Sequence, residues 1–144
     1  MAKSDKSRFE GRLVTIPTED GIGLAKVLFC PAREKNSALF KIFKKILPRD
    51  TSITEADFGG PYELRYARLQ ALKSESWSIF HDQGVDADEH RLTHRTSGGE
   101  IWIGDEHIGP ATEADERSLP KMLIYGEGLI EKFVSGLAAK AGRN

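Results

Sequence analysis

Phe9–Phe29, FEGRLVTIPTEDGIGLAKVLF, constrains this chain most: two apolar runs are separated by Thr18-Glu19-Asp20-Gly21. Val14 and Ile16 alternate with polar neighbours before the break, while Ile22, Leu24, Val27 and Leu28 crowd the run after it. Asp20-Gly21 favours a chain reversal, because glycine reaches positive φ without a Cβ penalty and aspartate bonds its own backbone. The stretch predicts an antiparallel hairpin with a short loop. Pro17 has no N–H to donate and belongs at a strand end or on an edge. A hairpin alone is marginal in water, so the rest of the chain has to cover its apolar side.

Two amphipathic patterns offer themselves as cover. Asn36–Leu47 (NSALFKIFKKIL) predicts a helix, with Leu39, Ile42, Phe43, Ile46 and Leu47 at helical spacing and Lys41, Lys44 and Lys45 mostly on another face. Asn36 or Ser37 would cap it and Pro48 marks its exit. Gly126–Lys140 predicts a terminal helix that buries Leu129, Ile130, Phe133, Val134 and Leu137. Between them, Tyr62–Leu72 fits a strand or a poor helix. The strand is preferred, with Leu69–Glu75 leaving it as a turn or short helical connection. Trp77–His81 reads as a strand, Asp82–Glu89 as an acidic loop and Arg91–Arg95 as a short strand. Thr96–Gly99 breaks the pattern. Glu100–Pro110 then predicts a second hairpin turning at Gly104-Asp105-Glu106-His107. Pro110–Ser118 reads as an acidic loop or helical turn, and Leu119–Tyr125 as one more extended piece.

Hairpins exclude alternating parallel units, and the helical patterns exclude a sheet-only fold. The expectation is an α+β fold: a strongly bent antiparallel sheet or small, partly open β-barrel flanked by two or more helices. A length of 144 residues suits a single domain. Residues 9–140 are expected to form it, with flexible ends at 1–8 and 141–144. The net charge of -1 exerts no global pull toward nucleic acid or membrane. Cys30, the sole cysteine, has no partner for an internal disulfide and reads as a small buried hydrophobe. No apolar run approaches a membrane span, and no apolar export segment precedes Phe9. A cytoplasmic protein without membrane contact is expected.

Gly11, Ile16, Pro17, Gly21, Gly23, Val27 and Leu28 form a pattern of glycine, "I-P" strand end, glycine turn and second strand. This pattern resembles the opening of the immunity protein 26 family of bacterial polymorphic toxin systems. The Leu64–Tyr66 strand followed by Ser76-Trp77 resembles that family's central segment, and Gly98–Pro110 matches it loosely. The resemblance implies a cytoplasmic antidote that binds a cognate toxin protein and occludes it. It brings neither a catalytic residue set nor a cofactor.

Charge patterning suggests where such a partner would bind. Glu100–Glu116 holds six carboxylates and one potentially cationic residue, His107. The toxin-binding candidates are Trp102, Asp105, Glu106, Glu113, Asp115 and Glu116, which would steer and mask a basic nuclease-like surface. If Ile101 and Ile103 are buried, Trp102 is the anchor; if Trp102 is buried, the two isoleucines are.

Two alternatives draw on other residues. A small metal-assisted hydrolase would use His81, His90 and His94 with the acids around them, His90 and His94 sharing a face if Glu89–Arg95 were helical. The stretch lacks HExxH spacing and also reads as a solvated acidic loop. Within the second hairpin, His107 with Glu100 or Asp105 is the first acid–base pair to consider. A nucleic-acid-binding module would use Lys41, Lys44 and Lys45, supported by Arg33, Lys35 and Arg49. The same lysines also suit a plain solvated helix face, and nucleic acid is the less expected partner. Neither a GxSxG elbow nor a phosphate-binding GxxxxGK[ST] is present.

Overall fold

The first hairpin forms as expected. Arg12–Thr18 (β1) pairs antiparallel with Gly21–Phe29 (β2), from Leu13 opposite Lys26 to Thr18 opposite Gly21. At the turn, the Thr18 hydroxyl accepts from the Asp20 N–H at 3.2 Å and donates to the Gly21 carbonyl at 2.9 Å. The structure, a computed structural model, describes residues 9–32 and 36–141. Of the ends expected to be flexible, at 1–8 and 141–144, all but Ala141 lie outside these residues, as do Arg33 and Lys35 of the basic group; Ala141 is the last residue of the terminal helix.

The helix expected over Asn36–Leu47 is instead a strand, Ser37–Leu47 (β3). It lies between β2 and Tyr62–Arg68 (β4), with Ala25 opposite Ile42 and Val27 opposite Phe40. Its first half is buried on both faces. Such a strand reads as a nearly continuous apolar run, so spacing alone does not separate it from a helix. The need of β2 for a second ladder partner decides the matter.

Beyond β4 come the short helix Gln70–Lys73 (α1) and the strand Ser78–Asp82 (β5), both close to expectation. The region 82–95 differs. Ala87–Arg91 is a helix (α2), capped by the Asp86 carboxylate, which accepts from the Glu89 N–H at 2.8 Å. The strand expected at Arg91–Arg95 is therefore the end of this helix and a turn. Arg95–Ser97 (β6), Glu100–Ile103 (β7) and Glu106–Pro110 (β8) follow, then the helix Glu113–Ser118 (α3), the strand Ile124–Tyr125 (β9) and the helix Glu127–Ala141 (α4).

The strands form a six-stranded sheet in the order β5-β1-β2-β3-β4-β9 and a three-stranded sheet in the order β6-β7-β8. Only the β4–β9 pairing is parallel within these sheets. The α+β expectation holds, with an open sheet: β5 and β9 are its edges and no barrel closes. Irregularities at Leu13/Val14, Gly23/Ala25 and Val27/Phe29 interrupt the register; bulges of this kind bend a strand and raise its twist. Pro17 lies beyond the β5 pairing, which ends at Thr15, so no N–H is demanded of it on that side.

Both faces of the large sheet are covered. On one, Val14, Ile16, Ala25, Val27, Ala38, Phe40 and Ile42 pack with Ile130 and Val134 of α4, and Cys30 joins this core. Leu129, expected in the buried stripe, is 57% exposed. Helix α4 lies close to the sheet at Gly23, where a Cβ would stand 2.5 Å from Val134 Cγ1. Gly23→Ala is expected to destabilise the fold by about 1–3 kcal/mol through overpacking, and Val134→Ala in the same chain to relieve part of that loss. Urea unfolding of the single and double variants measures both effects.

The opposite face carries two apolar clusters. Leu13, Leu24, Phe43 and Phe58 form one; Leu28, Phe29, Leu39 and Tyr66 form the other, with Leu92 and Met122 against it. Lys26 and Lys41 stand opposite each other in the same β2–β3 ladder. Among the described residues, no helix is long and apolar enough to cross a membrane.

Candidate functional site

The second hairpin, β7–β8, forms as expected, with Gly104 and Asp105 at its turn. Trp102 stands opposite Arg95 of β6 and His107 of β8. Its ring lies 4.9 Å from the His107 ring, and His107 Nε2 is 3.2 Å from Glu100 Oε2. Ile101, Trp102 and Ile103 are all half-buried, so the sheet does not set one fully buried side against one fully exposed side.

The five acidic candidates divide into two groups. Asp105 and Glu106 lie at the hairpin turn, whereas α3 follows the other end of β8. The two places are separated by the length of the short strands, roughly 13 Å at about 3.3 Å per residue. Asp105 accepts a hydrogen bond from the Ala32 N–H at 2.7 Å, which ties the turn to the chain after β2. Asp115 accepts from the Thr112 N–H at 2.9 Å and from its hydroxyl at 3.0 Å. These bonds, the backbone one foremost, hold its carboxyl below the usual carboxylate range. Glu106, Glu113 and Glu116 are exposed and make no ion pair among the described residues.

The lysines expected to share a helix face do not. Strand alternation sets Lys44 on the side opposite Lys41 and Lys45. Lys44 stands 3.6 Å from Glu63. Lys41 Nζ sits 3.4 Å from Glu89 and 4.7 Å from the centre of the Tyr62 ring. Glu89 also receives Lys26 Nζ at 2.7 Å, and Lys26, only 3% exposed, makes a further bond to Gln83 Oε1 at 2.8 Å. One nearly buried carboxylate thus faces two lysines. The expected loop at Glu89 hid this arrangement. A signal was present in β2, where Lys26 interrupts GLAKVLF: a lysine in a doubly covered strand requires a partner.

The three histidines are not gathered. His81 lies on β5 beside Glu55, at 3.3 Å, and His90 on α2 approaches Gly104. His94 lies past the end of α2, which closes before the two residues can share its face. Among the described residues, no group of three His, Cys, Asp or Glu side chains is placed to hold a metal ion.

Arg95 was not singled out by its sequence context, yet it is only 4% exposed. Its guanidinium lies 5.5 Å from the ring centres of both Phe29 and Tyr66. Nη1 donates to the carbonyls of Thr93 at 2.9 Å and Gly104 at 2.8 Å, joining the small sheet to the turn before it.

Comparison with protein families, curated proteins and solved structures finds no match for this chain.

Proposed function

We propose that this protein is an immunity-like antidote that binds a basic toxin domain and occludes its working surface, without turnover. The observation that carries the reading is the set of exposed carboxylates on the small sheet and α3: Glu106, Glu113 and Glu116 make no ion pair among the described residues. Unpaired surface carboxylates attract a cationic partner and speed its encounter. Trp102, half-buried between the two acidic groups, offers an aromatic anchor. The sequence resemblance of the first hairpin supports the same class. In the fold its Gly23 makes room for α4, which gives that position a packing role.

The test is binding to the product of the adjacent gene. Association is expected, and the triple variant Glu106→Lys, Glu113→Lys, Glu116→Lys is expected to slow it by at least about tenfold at low salt. Folding stability should change little, since exposed substitutions usually stay within about 0.5 kcal/mol each. Absence of association, or association untouched by all three charge reversals, would refute the reading.

A further inference from the structure

We propose that His107 is a proton-operated charge switch on the acidic face: on taking up a proton it pairs with Glu100, lies as a cation against Trp102, and weakens the hold on a basic toxin domain. This regulation rests on the toxin-binding reading above and names acidification as the signal that slows capture.

The small sheet brings the three side chains together. Pairing sets Trp102 opposite both Arg95 and His107, so these share one side of the sheet, and strand alternation adds Glu100 to it. His107 Nε2 stands 3.2 Å from Glu100 Oε2, and its ring lies 4.9 Å from the Trp102 ring at 45°. The His107 and Glu100 side chains are 48% and 41% exposed, so the imidazole exchanges protons with solvent freely. Histidine is the side chain whose ordinary charge change falls between about pH 5 and 8. When both ring nitrogens carry protons, Nε2 donates to the Glu100 carboxylate whichever tautomer came before, and the cation is drawn to the indole.

The surrounding charges set the direction of the effect. Arg95 and Asp105 line one cavity with Glu100 and Trp102. Arg95 is committed to the Thr93 and Gly104 carbonyls, and Asp105 accepts from the Ala32 N–H. Glu106, opposite Ile103, alternates to the other side of β8. From α2, His90 approaches the turn at Gly104. With His107 neutral, the carboxylates of Glu100, Asp105 and Glu106 outnumber the Arg95 cation. Protonation of His107 offsets one of these carboxylates beside the Trp102 anchor and leaves Glu113 and Glu116 of α3 as they were. A cationic partner then meets a weaker field, so its encounter slows without stopping.

Tryptophan emission reads the switch, because a protonated imidazole quenches an indole in contact with it. The other tryptophan, Trp77, is buried on the α4 side of the large sheet. Emission is expected to fall between about pH 8 and about pH 5, and to stay level in His107→Gln and in Trp102→Phe, whereas His90→Gln keeps the fall. Stopped-flow mixing with the adjacent gene's product at low salt reads the consequence. Over that range, association of the wild type should slow about twofold more than association of His107→Gln, a comparison in which the partner's own titrating groups cancel. An emission fall that persists in His107→Gln, or equal pH dependence of association in the two proteins, overturns the switch and leaves toxin binding standing. Absence of association at every pH refutes the toxin reading and the switch with it.

Discussion

Glu89→Leu is expected to lower folding stability by about 3–5 kcal/mol, the usual cost of breaking a buried ion pair from one side. Lys26 is 3% exposed and reaches Glu89 at 2.7 Å; without the carboxylate its charge retains only the neutral Gln83 oxygen. Lys41 stands opposite it in the ladder, so the two ammonium groups also lose the anion between them. Glu89→Gln separates charge from capping. It retains an oxygen for the Asp86 N–H, which Glu89 Oε1 accepts at 3.2 Å, but removes the negative charge. It should therefore destabilise by most of the same amount, since a cap accounts for only about 1 kcal/mol. Combining Lys26→Met with Glu89→Leu should recover much of the loss, because a packed apolar pair replaces a buried ion pair at little or no cost. Urea midpoints at constant m measure the series. A loss below about 1 kcal/mol in Glu89→Leu would show that solvent already reaches these charges.

The second large effect concerns the other face. Trp77 is 1% exposed and meets the Phe40 ring edge-on, with centres 5.6 Å apart and planes at 86°. Its Nε1 donates to Glu131 of α4 at 3.0 Å. Trp77→Ala should cost about 3–5 kcal/mol, from lost apolar burial and the cavity left behind. It should also loosen α4, so amide exchange around Glu131 is expected to quicken. Trp77→Phe retains a ring but no donor, and should fall between wild type and Trp77→Ala. A small loss in Trp77→Ala, with α4 exchange unaltered, would mean that the helix is held by Ile130 and Val134 alone.

These two residues illustrate what was legible beforehand. Trp77 was readable as a packing residue because it opens an apolar segment, although its bond to Glu131 spans 54 positions and has no local trace. Glu89 read as a loop acid. Asp86 caps its helix through a contact three residues long, yet the reason for burying Glu89 lies in lysines far away in the chain. Leu129 fits the apolar spacing of α4, but the sheet accepts only part of that face, around Ile130 and Val134. At the small sheet, the acidic composition was plain. The division of its carboxylates between a turn and α3, and the use of Asp105 and Asp115 in structural bonds, required the folded arrangement.

By itself, the sequence determined the two hairpins, the terminal helix and the α+β class. Asp20-Gly21 and the glycine at 104 act within a few residues, and a fifteen-residue helix carries its own periodicity. The tertiary structure alone decided that Ser37–Leu47 is a strand, because burial on both faces erases alternation and only pairing with β2 and β4 distinguishes it from a helix. The same pairing sets Lys26 beside Lys41, and packing of α2 and the small sheet then brings Glu89 to both lysines and Arg95 between two rings. Register and packing act over tens of residues, which local patterns do not encode.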